Sequence, residues 1–267
     1  MPAVPLIRRT AAALLLAAFS TASTIACAQA QQKEAEYEPH TFQEGKDVVW
    51  VPTPQVVVEK MLDLAKVTAK DFVMDLGSGD GRTVITAARR GARALGVEYN
   101  PDMVALSKRN AAKNGVADRA EFVKADLFET DFSKASVITM FLLPDINLKL
   151  RPKILALKPG TRIVSNTFTM GDWEADETVE LGGNAGCNVS WCTALLWIVP
   201  AQVAGSYKFP QGDLVLNQQF QKITGTLDSQ GKTYVIEGGK VNGADISFRA
   251  GGRTYNGTMH GKTLELR

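Results

Sequence analysis

The feature that most constrains this chain is an apolar run that takes up an acid and then breaks into glycines: Val73-Met74-Asp75-Leu76-Gly77-Ser78-Gly79-Asp80-Gly81-Arg82. Such a run reads as a buried strand, and glycines at 77, 79 and 81 let the backbone turn tightly and approach a ligand before a helix opens. Strand, glycine loop and helix together imply a parallel α/β sheet with the loop at its carboxyl edge, where ligands bind in such sheets. A GxGxG alone would mark any strand-to-helix turn. Here Glu98 ends the next strand, seventeen residues after Gly81, and Asp126 follows the strand after that. A carboxylate only accepts hydrogen bonds, so Glu98 suits a ribose diol and Asp126 an adenine amino group, with Leu127 covering the ring. Taken alone, Asp126 reads better as a helix cap or turn residue; three such elements at successive strand ends are much more specific.

Periodicity extends the pattern along the chain. Helices are expected over residues 54–65, 81–90, 101–114 and 146–157, and strands over 72–76, 94–98, 120–124, 136–141 and 161–166. Residues 177–181 and 193–199 are strand-like with no helix between them, so the sheet closes with a hairpin. After Pro200 come short strands at 213–220, 222–227, 233–237, 245–250, 253–258 and 262–266, spaced by turns such as Asp228-Ser229-Gln230-Gly231 and Asn242-Gly243. They imply an antiparallel meander, a small barrel or half-barrel. The expected organisation is therefore a leader over 31–47, an α/β domain over 48–200 and a small antiparallel β-domain over 205–267.

These residues resemble the class I S-adenosylmethionine-dependent methyltransferases, with the likeness running from Val48 to about Pro200. More narrowly, Val51-Pro52-Thr53-Pro54, the segment Asp75 to Arg82, Phe141-Leu142-Leu143-Pro144 and Arg162-Ile163-Val164-Ser165 are similar to the small protein-lysine methyltransferases that modify mitochondrial proteins. Those enzymes are distant relatives of the non-SET histone-lysine enzymes. The resemblance implies a Rossmann-like seven-stranded sheet whose closing hairpin inserts its last strand antiparallel, S-adenosylmethionine as cofactor and a lysine amine as acceptor. It places Asp75 with Gly77, Ser78, Gly79 and Gly81 at the methionine end of the cofactor, Glu98 at the ribose, and Asp126 and Leu127 at the adenine. Pro52 and Thr53 would close over the cofactor. Phe141, Leu143 and Pro144 would face the acceptor, with water or backbone carbonyls near Leu143 and Pro144 taking up the amine proton. The N-terminal segment and the β-domain depart from that family, so a small-molecule acceptor stays open beside a protein one. So does a non-catalytic, exported nucleoside-binding module.

Composition narrows the partners. Of 30 basic residues the first thirty positions hold Arg8 and Arg9 and no acid, which leaves 28 basic against 28 acidic residues. A neutral chain lacks the basic footprint of a protein that grips phosphate backbones, so nucleic acid is not expected as a partner. Arg8-Arg9, the apolar stretch 11–19 and Ala28-Gln29-Ala30 follow the order of a signal peptide cleaved after Ala30, implying export to a periplasm. The apolar stretch is too short to span a bilayer, so no transmembrane segment is expected in the mature chain. Thr24-Ile25-Ala26-Cys27 is a degraded lipoprotein site, with Thr where Leu is usual, and would anchor the protein through Cys27. The remaining cysteines, Cys187 and Cys192, fit a short disulfide and a pair of inert thiols equally; with no further Cys or His near them they make no metal site.

Other enzyme classes fit poorly. A nicotinamide loop of GxGxxG form would carry Gly where Arg82 stands, no GxxxxGK follows a strand, and no GxSxG is present. The only histidines are His40 in the expected leader and His260 in the β-domain. Methylation of base amino groups usually employs an Asn-Pro-Pro-Tyr-like segment after the fourth strand, and Met140-Phe141-Leu142-Leu143-Pro144 is not one.

Overall fold

A computed structural model describes residues 1–3 and 37–267. The expected signal peptide, its Ala30 cleavage site and Cys27 lie outside the described residues. The chain divides into two units, Met1–Glu36 and Tyr37–Arg267; everything below belongs to the second.

The first helix, α1 (Gln55–Leu64), leads into an alternation of β1 (Phe72–Leu76), α2 (Arg82–Arg89), β2 (Arg93–Glu98), α3 (Pro101–Lys113), β3 (Ala120–Lys124), β4 (Val137–Met140), α4 (Pro144–Leu155) and β5 (Arg162–Asn166). With β6 (Glu177–Glu180) and β7 (Thr193–Ile198) these strands form one sheet in the order β3-β2-β1-β4-β5-β7-β6. Strands β1 to β5 pair in parallel, and β7 lies antiparallel between β5 and β6. This is the expected seven-stranded layout with an inserted last strand.

Period-two alternation sends side chains to two cores. Val73 joins Val57, Val58 and Val84 on the face covered by α1 and α2, whereas Met74 and Leu76 join Ile138, Met140, Leu150 and Ile154 on the other. Burial on both faces explains why these strands read as continuous apolar runs. Asp75 falls on the Val73 side, directly across from Thr139 of β4 in the ladder.

The loop before β7 is closed by a Cys187–Cys192 disulfide, its Cα atoms 5.9 Å apart. Of the two alternatives that the spacing allowed, the structure has the bridge.

Beyond Val199 the chain forms β8 (Gly205–Phe209), β9 (Gly212–Gln219), β10 (Lys222–Ser229), β11 (Lys232–Val235), β12 (Glu237–Asn242), β13 (Asp245–Ala250), β14 (Arg253–His260) and β15 (Thr263–Leu266). They make an eight-stranded antiparallel sheet in the order β15-β14-β13-β12-β10-β9-β8, with β11 pairing beside β10. Its core is Leu214, Leu216, Ile223, Leu227, Ile246 and Phe248. Two elements differ from expectation. Strand β8 lacks an apolar alternation, and the single strand expected over 233–237 is two, β11 and β12, with a register shift between Glu237 and Lys240. Gly238-Gly239 resembles a turn, but Gly239 lies against the Ile223 backbone, where a Cβ would come within 2.3 Å of the carbonyl oxygen. A glycine in a strand here marks a bulge and a close backbone approach.

The β-domain is docked rather than tethered. The Phe220 ring stacks on Trp173 with centroids 5.8 Å apart, Gln221 Nε2 donates to the Glu174 carbonyl at 2.7 Å, and Lys240 pairs with Asp176 at 3.0 Å.

The largest departure concerns residues 37–47, expected as a leader. They fold back onto the α/β domain: the Phe42 N–H donates to the Trp50 carbonyl and the Trp50 N–H to the Gln43 carbonyl, at 2.8 and 2.9 Å, and Lys46 Nζ donates to Asp126. Among the described residues, 37–47 are thus ordered by contacts with the segment and strands that follow. This segment takes its shape from contacts with the pocket, so it carries no periodicity of its own to betray it.

Candidate functional site

The glycine loop leaves β1 with Gly77, Gly79 and Gly81 all at positive φ, a conformation that side chains with a Cβ rarely adopt. At Gly79 space is decisive as well: a Cβ would lie 2.5 Å from Nε1 of Trp50. Gly81 serves a different purpose. It caps α2 in the left-handed conformation, and a Cβ there would meet the Phe122 ring at 2.8 Å. It packs helix on strand and does not line the pocket, which corrects its expected place beside the cofactor.

A cleft of about 1050 Å³, open solvent included, lies at the carboxyl edge of β1, β2 and β4. Of the expected residues it brings together Pro52, Thr53, Asp75, Gly77, Ser78, Gly79, Glu98, Asp126, Leu127 and Phe141. Leu143 and Pro144 are not among them. Leu143 caps α4, is 45% exposed, and its carbonyl already accepts the N–H groups of Ile146 and Asn147 at 3.0 and 3.1 Å. It is therefore not a free proton acceptor. Pro144 is the first residue of α4 and exposed, as its missing N–H and fixed φ favour. Leu142 and Ile146 line the cleft in their stead.

Three carboxylates define the polar half. Asp75 is buried and accepts from the Thr139 hydroxyl at 2.6 Å. Burial pushes its carboxyl up to about 7; the Thr139 hydrogen bond opposes this, and the nearby Glu98 and Asp80 charges add to it. Glu98 uses both oxygens on the backbone, Oε2 accepting from Gly79 N–H and Oε1 from Asn100 N–H, each at 2.9 Å. It holds the glycine loop in shape and keeps lone pairs for a ligand. Asp126 accepts from Lys46 Nζ at 2.7 Å and from the Phe128 N–H at 2.9 Å. The Lys46 hydrogen bond, then that from Phe128, holds its carboxyl below the usual range.

Three further residues shape the cleft and were not read from sequence. Arg82 grips Asp80 through Nε and Nη2 at 3.0 and 2.5 Å and donates from Nη1 to the Thr53 carbonyl at 2.9 Å. It thereby ties the Pro52-Thr53 segment to the glycine loop. Lys46 stands over the rings of Tyr99 and Phe128 at 5.2 and 5.8 Å, and the Trp50 indole covers Gly79. A tryptophan immediately before Val51-Pro52-Thr53-Pro54 was the one available signal.

Comparison with known proteins bears on this geometry. The ANTKMT methyltransferase domain matches residues 75–177. A protein-lysine N-methyltransferase of Saccharolobus islandicus (strain REY15A) is 46% identical over 148 residues, covering 54% of this chain and 88% of that protein. The adenine nucleotide translocase lysine N-methyltransferase of Mus musculus is 34% identical over 119 residues, covering 44% of this chain and 52% of its own length. Among solved structures, an RNA methyltransferase from Salinibacter ruber in complex with S-adenosyl-L-homocysteine superposes with a TM-score of 0.53. It is 49% identical, over 57% of this chain and 96% of that one.

The chain belongs to the class I S-adenosylmethionine-dependent methyltransferases. Within that class it resembles the lysine methyltransferases of mitochondrial type.

The cleft fits that cofactor by the chemistry of its donors. Glu98 and Asp126 are acceptors for hydroxyl and amino groups, Asp75 is a buried carboxyl able to meet a cation, and Gly79 leaves backbone bare where a side chain would intrude.

Proposed function

We propose that this protein is an exported methyltransferase whose acceptor is the side-chain amine of a protein lysine. The observation that carries it is the division of one cleft into two unlike halves. Asp75, Glu98 and Asp126 make a polar half, while Met140, Phe141, Leu142 and Ile146 make an apolar one. The polar half would hold the cofactor by the roles set out above, with Arg82 keeping Pro52 and Thr53 over it. When bound, the cofactor supplies an already activated methyl group, so the protein's work is to align the acceptor in line and keep water out. The apolar half is suited to that work. An alkyl stem is accommodated there without unpaired polar groups, and the amine is stripped of water. A lysine amine has an ordinary pKa of about 10.4 and must shed its proton before it can attack; desolvation beside a positive sulfonium lowers that value. Water at the mouth of the cleft takes the proton.

Likeness to two lysine methyltransferases supports the acceptor class. The Salinibacter structure's name favours RNA instead, and the even balance of basic and acidic residues weighs against that. Incubating the enzyme with methyl-labelled S-adenosylmethionine and separated protein, RNA and metabolite fractions of its host decides the matter. Label on lysine is expected; label confined to RNA, to metabolites or to another residue overturns the lysine assignment and leaves the methyltransferase intact.

Export is supported by the N-terminal pattern and by a disulfide, which persists in oxidising compartments. Mass spectrometry of protein from its native host should show an N-terminus at Gln31. A lipidated Cys27 would make it membrane-anchored, and an intact Met1 would refute both.

A further inference from the structure

The segment before α1 reaches the cleft as a closed loop. Phe42 turns the chain in the left-handed conformation, φ +70°, and the hydrogen bonds of Phe42 and Gln43 with Trp50 tie the two ends of residues 43–50 together. Every residue of that loop lines the cleft. Its neck is anchored from behind as well. Gln43 Oε1 accepts from the His40 N–H at 3.2 Å, Gln43 Nε2 donates to the Tyr37 hydroxyl at 2.6 Å, and the Tyr37 carbonyl accepts from Arg109 Nη2 of α3 at 3.4 Å.

The tip is held far more lightly. Among the described residues, the hydrogen bond from Lys46 to Asp126 at 2.7 Å is the one that ties residues 44–49 to the rest of the chain, with Val48 packed against an apolar core. Both side chains of that pair are partly exposed, 33% and 28%, so it is weak and sensitive to salt. Asp47 draws on the same ammonium at 3.4 Å. A firm neck with a lightly latched tip lets one contact decide whether the loop lies down. The place of that contact decides what the loop controls. The Lys46 ammonium bonds the carboxylate assigned to adenine and stands over the Tyr99 ring at 5.2 Å, and Asp126 and Tyr99 both line the cleft. Lysine and the amino group of a base are therefore rival donors to one acceptor.

We propose that residues 44–49 are a gate at the adenine end of the cleft, latched by Lys46 on Asp126, and that the cofactor and its demethylated product must lift the latch to enter. This rests on the assignment of Asp126 to adenine and is independent of the nature of the methyl acceptor. The latch and the adenine contact exclude one another, so the latch is already open once adenine is seated. Breaking it burdens entry and not release, and Lys46 acts on the rate of association.

The test follows association and dissociation of S-adenosylhomocysteine on the immobilised full chain by surface plasmon resonance, with sodium chloride raised from about 0.05 to about 0.5 M. That ligand carries no net charge near neutral pH, so steering by the field of the protein supplies no salt dependence of its own. Lys46→Ala should raise the association rate constant about fivefold and leave dissociation within about twofold. The wild type should approach the variant's rate as salt rises, and the variant should not respond. Lys46→Arg keeps a cation at the tip and should behave as the wild type does. Asp47→Ala leaves the ammonium to Asp126 alone and should slow association. An association rate that Lys46→Ala leaves unmoved or lowers, or a change confined to dissociation, overturns the gate. Asp126→Ala separates the gate from the adenine assignment. It should raise both rate constants, since latch and adenine acceptor are lost together; faster association with unaltered dissociation would keep the gate and move adenine elsewhere.

Discussion

The two halves of the cleft are built by opposite strategies. The polar half comes from residues at consecutive strand ends, Asp75 on β1, Glu98 on β2 and Asp126 just past β3, and two of its acids are held by backbone N–H groups of the strand-end loops, those of Gly79 and Asn100 on Glu98 and of Phe128 on Asp126. The apolar half comes from the end of β4, the residues after it and the start of α4, and is backed by side chains reaching across elements, Asn147 to the Phe168 carbonyl and the Phe168 ring to Phe141. A common cofactor rewards an invariable cradle on the sheet edge. An acceptor particular to one enzyme is met by side chains that loops can exchange without disturbing the sheet.

Substitutions on the two sides should therefore separate cofactor affinity from acceptor affinity, and the polar side should give the largest effects. Gly79→Val combines positive-φ strain with a collision against Trp50 and should weaken S-adenosylhomocysteine by more than about 100-fold. Normal titration by calorimetry would show that the loop does not approach the cofactor. Glu98→Ala removes a ribose acceptor and loosens Gly79 together, and about 10- to 150-fold loss is expected. A folded variant with wild-type affinity would relocate the ribose.

The Asp75 carboxyl gives an intermediate effect that depends on pH. Its folded pKa of about 7 lies above the ordinary 3.8, so the folded protein holds a proton that the unfolded chain releases. Stability of the cofactor-free protein from this group is therefore full below pH 3.8 and is lost as pH rises toward 7. Cofactor binding runs the other way. A cationic group of the cofactor favours the carboxylate, so affinity should fall by about tenfold per pH unit below 7 and level off above it. Asp75→Asn should flatten that profile; a profile unaltered by the substitution would assign the titration elsewhere.

The smallest effect is expected at Lys46, whose ammonium occupies Asp126 at the rim. Lys46→Ala frees that carboxylate for an adenine amino group and should tighten cofactor binding by no more than about fivefold, an effect that salt should abolish in the wild type too. Weaker binding would instead make Lys46 part of the cradle.

How much of this was legible follows from the distance over which each feature is determined. The alternation of strands and helices, the three carboxylates and the glycine loop are written in local periodicity and spacing, and the structure places the acids and the loop together at one edge; the inserted last strand came with the family resemblance, and the strand order with the structure. Gly81 was misplaced because a glycine that packs against Phe122 and one that leaves room at a cleft look alike in a motif. Leu143 and Pro144 were misplaced because helix α4 starts two residues earlier than its apolar pattern suggests, turning both toward solvent. The order of residues 37–47 was missed because it comes from contacts such as that of Lys46 with Asp126, a residue tens of positions away.

Sequence alone determined the class of fold and the chemistry of the cofactor cradle, because strand period, glycine freedom and the acids at strand ends all act within a few residues of one another. Only the tertiary structure decided what stands opposite: that Lys46 and Trp50 lie over the cradle, that Cys187 and Cys192 are joined, and that Phe168 stacks on Phe141. Each of these depends on packing between elements distant in the chain, where side chains and not backbone propensity set the geometry.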